Sequence, residues 1–152
     1  MSTDHEITLS EYQSLAEFRY QLRCFLHFSE QAARAVGLEP QQHQLLLTLK
    51  GLPFGRSATV SELAERLQIR HHSTVELIDR MVDRNLIERS RDENDQRKVI
   101  IHLTPHGEKV LRKLSLLHRT ELRSSGPDLV RVLNQVIDAE DRNLLEREDI
   151  NS

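Results

Sequence analysis

With 152 residues, 38 % hydrophobic and 30 % charged, the chain can bury one domain-sized core and still present a polar surface. Two Tyr, four Phe and no Trp exclude an aromatic-rich binding platform, and a single Cys excludes an internal disulfide. A formal net charge of −3 excludes a uniformly basic nucleic-acid binder, so any affinity for phosphates has to come from arginines gathered on one face. No apolar run approaches the roughly 20 residues that cross a membrane. The opening MSTDHEITLSE has no secretory-signal character, and the protein is expected in the cytoplasm.

Residues 9–36 read as a long helix with Tyr12, Leu15, Phe18, Leu22, Phe25 and Leu26 on its apolar face, closed by Gly37. A second helix over 40–50 carries Leu45, Leu46, Leu47 and Leu49 and is expected in the core. The Gly-Leu-Pro-Phe-Gly run at 51–55 is an interior loop. Thr59 with Glu62 three residues later has the spacing of a capping box, and Leu63, Ala64 and Leu67 follow at helical intervals.

After a short connection at 68–70, the next helix places Val75, Ile78, Met81 and Val82 on one stripe. His72, Ser73, Glu76, Arg80 and Arg84 then fall mostly outside it. Asn85 ends this helix, because it tolerates the left-handed conformation that a helix C′ position demands. Residues 86–90 and 99–103 are β-rich runs around a charged tip at 92–97, a hairpin pattern. Thr104 and Pro105 supply an N-cap and a first-turn proline for a helix over 105–123 with Val110, Leu111, Leu114 and Leu117. Ser-Ser-Gly-Pro at 124–127 is expected to break it before a last helix through Leu129, Leu133, Val136, Ile137 and Leu144.

This order of elements predicts a mainly α fold with a small β-hairpin wing: a winged helix-turn-helix flanked by N- and C-terminal dimerisation helices. The expected division is 1–38 for the N-terminal dimerisation helix, 39–104 for the winged module and 105–152 for the C-terminal dimerisation helices. Residues 56–98 hold nine basic and nine acidic side chains, whereas the segments before residue 51 and after residue 98 are net acidic. The module is therefore the least acidic part of the chain without being a basic block.

The run Leu86-Ile87-Glu88-Arg89, then Asp95-Gln96-Arg97, then Leu103-Thr104-Pro105-His106-Gly107 resembles the multiple antibiotic resistance regulator (MarR) family, with its G-L-[IV]-x-R, D-x-R and L-T-x-x-G pattern. The likeness is close from Thr59 to Gly107; the flanking helices match in placement. Asn85 stands where that family usually has glycine, and the histidine pair in Arg70-His71-His72-Ser73-Thr74 is not a family signature. The resemblance implies a homodimer built from the terminal helices, and a double-stranded, pseudo-palindromic DNA operator as partner. It also implies a wing in which Arg97 enters the minor groove while Asp95 holds the tip. Two reading helices would enter successive major grooves roughly 34 Å apart.

The residues expected to meet DNA are Arg70, His71, His72, Ser73, Thr74, Glu76 and Arg80 on the second helix of the module. Arg97 joins them from the wing, and Arg89, Arg91 and Lys98 are assigned to phosphates. The alternative for each is a solvated helix face or a hairpin with paired charges. Cys24 sits on the helix where hydroperoxide-sensing relatives carry a redox cysteine. The partner tyrosines of those relatives are unmatched, since Gln41, Gln42 and His43 occupy their region. A small buried hydrophobe is the other reading of Cys24. Cys24 and His27, with His43, His102 or His106, lack the spacing of a zinc site, and no metal or cofactor is expected.

The leading expectation is a dimeric, sequence-specific transcriptional regulator, a repressor whose small-molecule effector binds between the helical platform and the module. The alternative is a winged module for protein or RNA interaction without an operator. An enzyme is not expected: the chain has no phosphate-cradling glycine loop, nucleophile elbow, H-E-x-x-H or Cys-x-x-Cys.

Overall fold

The computed structural model describes residues 6–139, so Leu144 and the expected helix end lie outside the described residues. The elements run α1 (Leu9–Ala35), α2 (Pro40–Lys50), α3 (Val60–Leu67), α4 (His71–Asp83), β1 (Ile87–Arg91), β2 (Val99–Leu103) and α5 (Pro105–Ile137). They form two compact units, one from the chain up to Phe28 and from His118 onward, the other from Ser29 to Leu117. The unit boundaries thus fall inside α1 and α5. The reason is packing: Ala33 of α1 and Leu111 and Leu114 of α5 are buried in the core of the second unit.

Helix ends in the second unit follow one rule. After α1, α3 and α4 the chain turns through a left-handed residue, Gly37 (φ 79°), Gln68 (φ 54°) and Asn85 (φ 56°). At each, two N–H groups reach back into the last turn. Leu38 N donates to Ala33 O (2.9 Å), Ile69 N to Ala64 O (3.2 Å) and Leu86 N to Met81 O (3.0 Å). This is the Schellman arrangement, which satisfies carbonyls that the helix itself leaves orphaned. Asn85 therefore does the work expected of it, and because Leu86 belongs to this turn, β1 starts one residue later than its alternation suggests.

Thr59 caps α3 by accepting from Glu62 N (3.2 Å), but the capping box is not reciprocal. The Glu62 carboxylate instead takes Arg66 Nε (3.2 Å) and stands 3.9 Å from Arg56. A reciprocal box does occur before α1, where Thr8 N donates to Glu11 Oε2 (2.7 Å) and Glu11 N to Thr8 Oγ1 (3.2 Å).

The apolar stripe of α4 lies one residue from its expected phase. Thr74, Leu77, Ile78 and Met81 are buried, while Val75 and Val82 are only half-buried. Burying Thr74 is inexpensive because its hydroxyl donates to Arg70 O (3.0 Å). With Leu45, Leu46, Leu63, Leu86, Ile87 and Ile101 these side chains form one cluster, each aliphatic contributing about 1.5–3 kcal/mol of burial. Leu47, expected in the core with its neighbours, faces out.

β1 and β2 pair antiparallel from Ile87 opposite Leu103 to Arg91 opposite Val99. The outer edge of β2 is covered where Ile101 N donates to Ala58 O (3.0 Å). Thr104 joins the hairpin to α5: its hydroxyl donates to Asn85 O (2.6 Å) and accepts from Gly107 N (3.0 Å). A Cβ on Gly107 would stand 2.0 Å from Leu86 O, so the close approach of α5 to the start of β1 requires glycine there.

In the other unit, α5 continues through Ser-Ser-Gly-Pro without a break, with Pro127 inside the helix. An interior proline costs about 3 kcal/mol. The carbonyl left without its helical partner is that of Arg123, and beyond the proline Val132 is fully buried, so packing carries the helix on. On α1, Phe18, Leu22 and Phe25 of the expected apolar face are half-buried, whereas Tyr12, Leu15 and Leu26 are exposed. Among the described residues no helix is long and apolar enough to cross a membrane.

Candidate nucleic-acid interface

The outer face of α4 begins at Arg70, its N-cap residue, whose side chain is exposed. His71, His72, Glu76 and Arg80 are exposed along it and Ser73 is half-buried. Thr74 is not on this face: it is fully buried, so it cannot reach a ligand lying along α4 without unpacking the core.

The wing is held by its own acids. Asp95 Oδ1 accepts from Arg97 N (3.1 Å), Asp92 Oδ1 from Asn94 N (3.1 Å), and Asp95 O from Lys98 N (2.9 Å). These turn contacts organise the tip and project Arg97, whose side chain is 97 % exposed and 3.7 Å from Asp95. Arg97, in a loose ion pair with Asp95, and the exposed Lys98 both face solvent.

Arg89 and Arg91 are differently engaged. Arg91 donates to Gln96 O (2.8 Å), bracing the tip from within. Arg89 forms an ion pair with Asp79 of α4, tying the base of the wing to the helix beside it. Asp79 is a positioning residue that the sequence pattern missed; the available signal was an acid on α4 flanking the β1 arginine. On the adjacent strand His102 Nε2 and Ser90 Oγ share a 2.6 Å hydrogen bond.

A cleft of about 630 Å³ lies between the start of α2 and the second half of α4, lined by Glu39, Gln42, Arg80 and Arg84 among others. Gln42 Oε1 accepts from both Glu39 N and Arg84 Nη1, each at 3.0 Å, linking the α2 cap to the end of α4. Arg80 therefore belongs to both the outer face of α4 and this cleft.

Cys24 is exposed, not the buried hydrophobe that was its other reading. It lines a cavity of about 130 Å³ with Phe25, Leu122 and Ser125. One turn before it, Tyr20 has its phenol raised above the ordinary tyrosine value, first by the hydrogen bond with Cys24 and then by the charge of that group. Among the described residues no group of three or more His, Cys, Asp or Glu stands together to hold a metal ion.

Comparison with known proteins points in one direction. Residues 36–98 match the model of the MarR family. An uncharacterized HTH-type transcriptional regulator, YsmB of Bacillus subtilis (strain 168), is 37 % identical over 65 residues, covering 43 % of this chain and 44 % of that protein. The match thus spans less than half of that relative's length. Among solved structures, AbsC, a MarR family transcriptional regulator from Streptomyces coelicolor, superposes with a TM-score of 0.70 at 24 % identity over 95 % of this chain and 98 % of its own. The S. aureus MepR–DNA complex superposes with a TM-score of 0.63 at 20 % identity over 93 % and 99 %. The MarR family match thus rests on residues 36–98, less than half of the chain, and the chain as a whole shares the fold of solved MarR family regulators.

Proposed function

We propose that the chain is a dimeric, sequence-specific transcriptional regulator that binds double-stranded DNA through α4 and the wing. The observation that carries this reading is the pairing of an outer α4 face, rich in polar side chains, with an arginine projected fully into solvent from a tip organised by Asp95. His71, His72, Ser73 and Glu76 suit the major groove, with Arg70 at the entry to the helix. Arg97 suits the minor groove, and Lys98 the phosphates. Arg89 and Arg91 act by holding the wing in place, and Thr74 acts within the core. That the fold neighbour MepR has been seen in complex with DNA supports the same reading.

The dimer is supported by the apolar side chains that the terminal unit leaves exposed, among them Leu9, Tyr12, Tyr20, Val130 and Ile137. Repression relieved by a small molecule remains part of this reading. The cleft of Arg80 and Arg84 is one place where a ligand could act on α4 directly.

The test is an electrophoretic mobility shift with the DNA upstream of the chain's own gene against random duplex, over a range of salt. A sequence-selective, salt-sensitive shift is expected. Arg97→Ala should weaken it about tenfold and lower the salt slope by about one. Equal binding to random duplex at every salt concentration would overturn the reading in favour of an assembly module.

A further inference from the structure

Resting on the reading of α4 as the DNA-facing helix, we infer that DNA binding by this chain is coupled to proton uptake at His71 and His72. The two imidazoles open α4, both exposed, and neither has a hydrogen-bond or ion-pair partner among the described residues. The first turn of α4 holds no acid, and Arg70 precedes it at the N-cap. The pair is therefore uncommitted in the free protein and stands where α4 would meet the duplex.

The charged groups around α4 leave room for this role. On α4 itself Glu76 follows His72 by one turn, and Asp79 is held by Arg89 of β1. β1 also carries Glu88. α3, packed on the other side, brings Glu65 and an Arg66 already bound to Glu62. α2 meets α4 near its far end through Gln42 and Arg84. Glu76 is thus the one acid that helix spacing sets beside His72, and no ion pair joins them.

The charge balance makes the pair matter. Residues 56–98 are net neutral, so two added protons take the reading segment from zero to +2, all of it at the front of one helix. Histidine is the side chain whose ordinary charge change falls between about pH 5 and 8. Phosphates approaching an imidazole favour its cationic form, so the DNA-bound state holds the proton more tightly than the free state. By linkage, affinity then rises as pH falls through the bound-state titration and levels off once the free protein is protonated too. Each phosphate newly neutralised also adds about 0.9 to the salt dependence.

The experiment is fluorescence anisotropy of a labelled upstream duplex with the full chain, at about pH 6, 7 and 8 and fixed ionic strength. Expected are an affinity about tenfold tighter at the lowest than at the highest pH and a salt slope steeper by one to about two. The double variant His71→Gln, His72→Gln should bind the same duplex more weakly, with both effects flattened to about twofold or less. His71→Arg with His72→Arg, permanently charged, should be tight and pH-independent, a rescue that a merely structural role would not produce. Selective binding that does not change with pH overturns the coupling alone. A wild-type pH response retained in the Gln variant also overturns it and moves the proton to His102 or His106. Absence of selective binding at every pH overturns both the coupling and the reading beneath it.

Discussion

The two units of this chain treat apolar surface in opposite ways. From Ser29 to Leu117 the large aliphatics interlock: Leu45, Leu63, Leu77, Ile78, Met81 and Leu114 have no exposed surface. In the terminal unit, Val132 is the one fully buried aliphatic among the described residues, and Leu9, Val130 and Ile137 are all more than half exposed. The lesson is that the winged unit has a core of its own, while the terminal unit leaves an apolar surface exposed, the one on which the proposed dimer rests. It also explains why the family match concentrates in the central segment. A closed core restricts many positions at once, whereas an amphipathic helix face can be met by many sequences.

The strongest way to break this contrast is to empty the closed core. Leu77→Ala, at a site with no exposure in the middle of α4, should cost about 2–5 kcal/mol, read by urea or thermal unfolding. A loss below about 1 kcal/mol would show that the cluster is looser than its burial implies. In the terminal unit the corresponding change is to charge the exposed face. Val130→Glu combined with Ile137→Glu should weaken the proposed dimer about a hundredfold, seen by sedimentation or light scattering, with helical content retained. A monomer in the unaltered protein at high concentration would remove the basis for the comparison.

The finest distinction uses two glycines of the same helix. Gly107→Ala drives a Cβ into the Leu86 carbonyl and should destabilise by about 1–3 kcal/mol. Gly126→Ala meets nothing within 4 Å beyond its chain neighbours, and because the Pro127 ring offsets part of the propensity gain it should change stability by less than about 1 kcal/mol. Equal effects of the two, measured by thermal unfolding, would mean that α5 meets its neighbours alike in both units.

Much of the winged unit was legible because its punctuation is chemical and local. Thr59, Asn85, Thr104 and Pro105 mark helix ends by groups that satisfy or omit backbone hydrogen bonds within a few residues. The family resemblance, and not this local chemistry, pointed to Asp95 as the residue holding the tip, where its carboxylate accepts from Arg97 N. Arg89 was harder. Its sequence position looks like that of a free phosphate contact, and only the approach of β1 to α4 reveals Asp79 beside it. Thr74 was misplaced because threonine suits either face of a helix, and the neighbouring Val75 gave an equally good apolar stripe one residue out of phase.

Sequence alone determined the order of elements from α1 to the start of α5, the hairpin and its charged tip, the family likeness and the polar character of the second helix of the module. These rest on period and capping, which depend on neighbours in the chain. Tertiary structure decided the phase of α4, the pairing of Arg89 with Asp79, the glycine requirement at Gly107 and the passage of α5 through Pro127. Each of these depends on an energy between residues distant in sequence or on the burial of a whole face. An interior proline reads locally as a stop, and only the packing of side chains beyond it, such as Val132, makes one continuous helix the lower free energy.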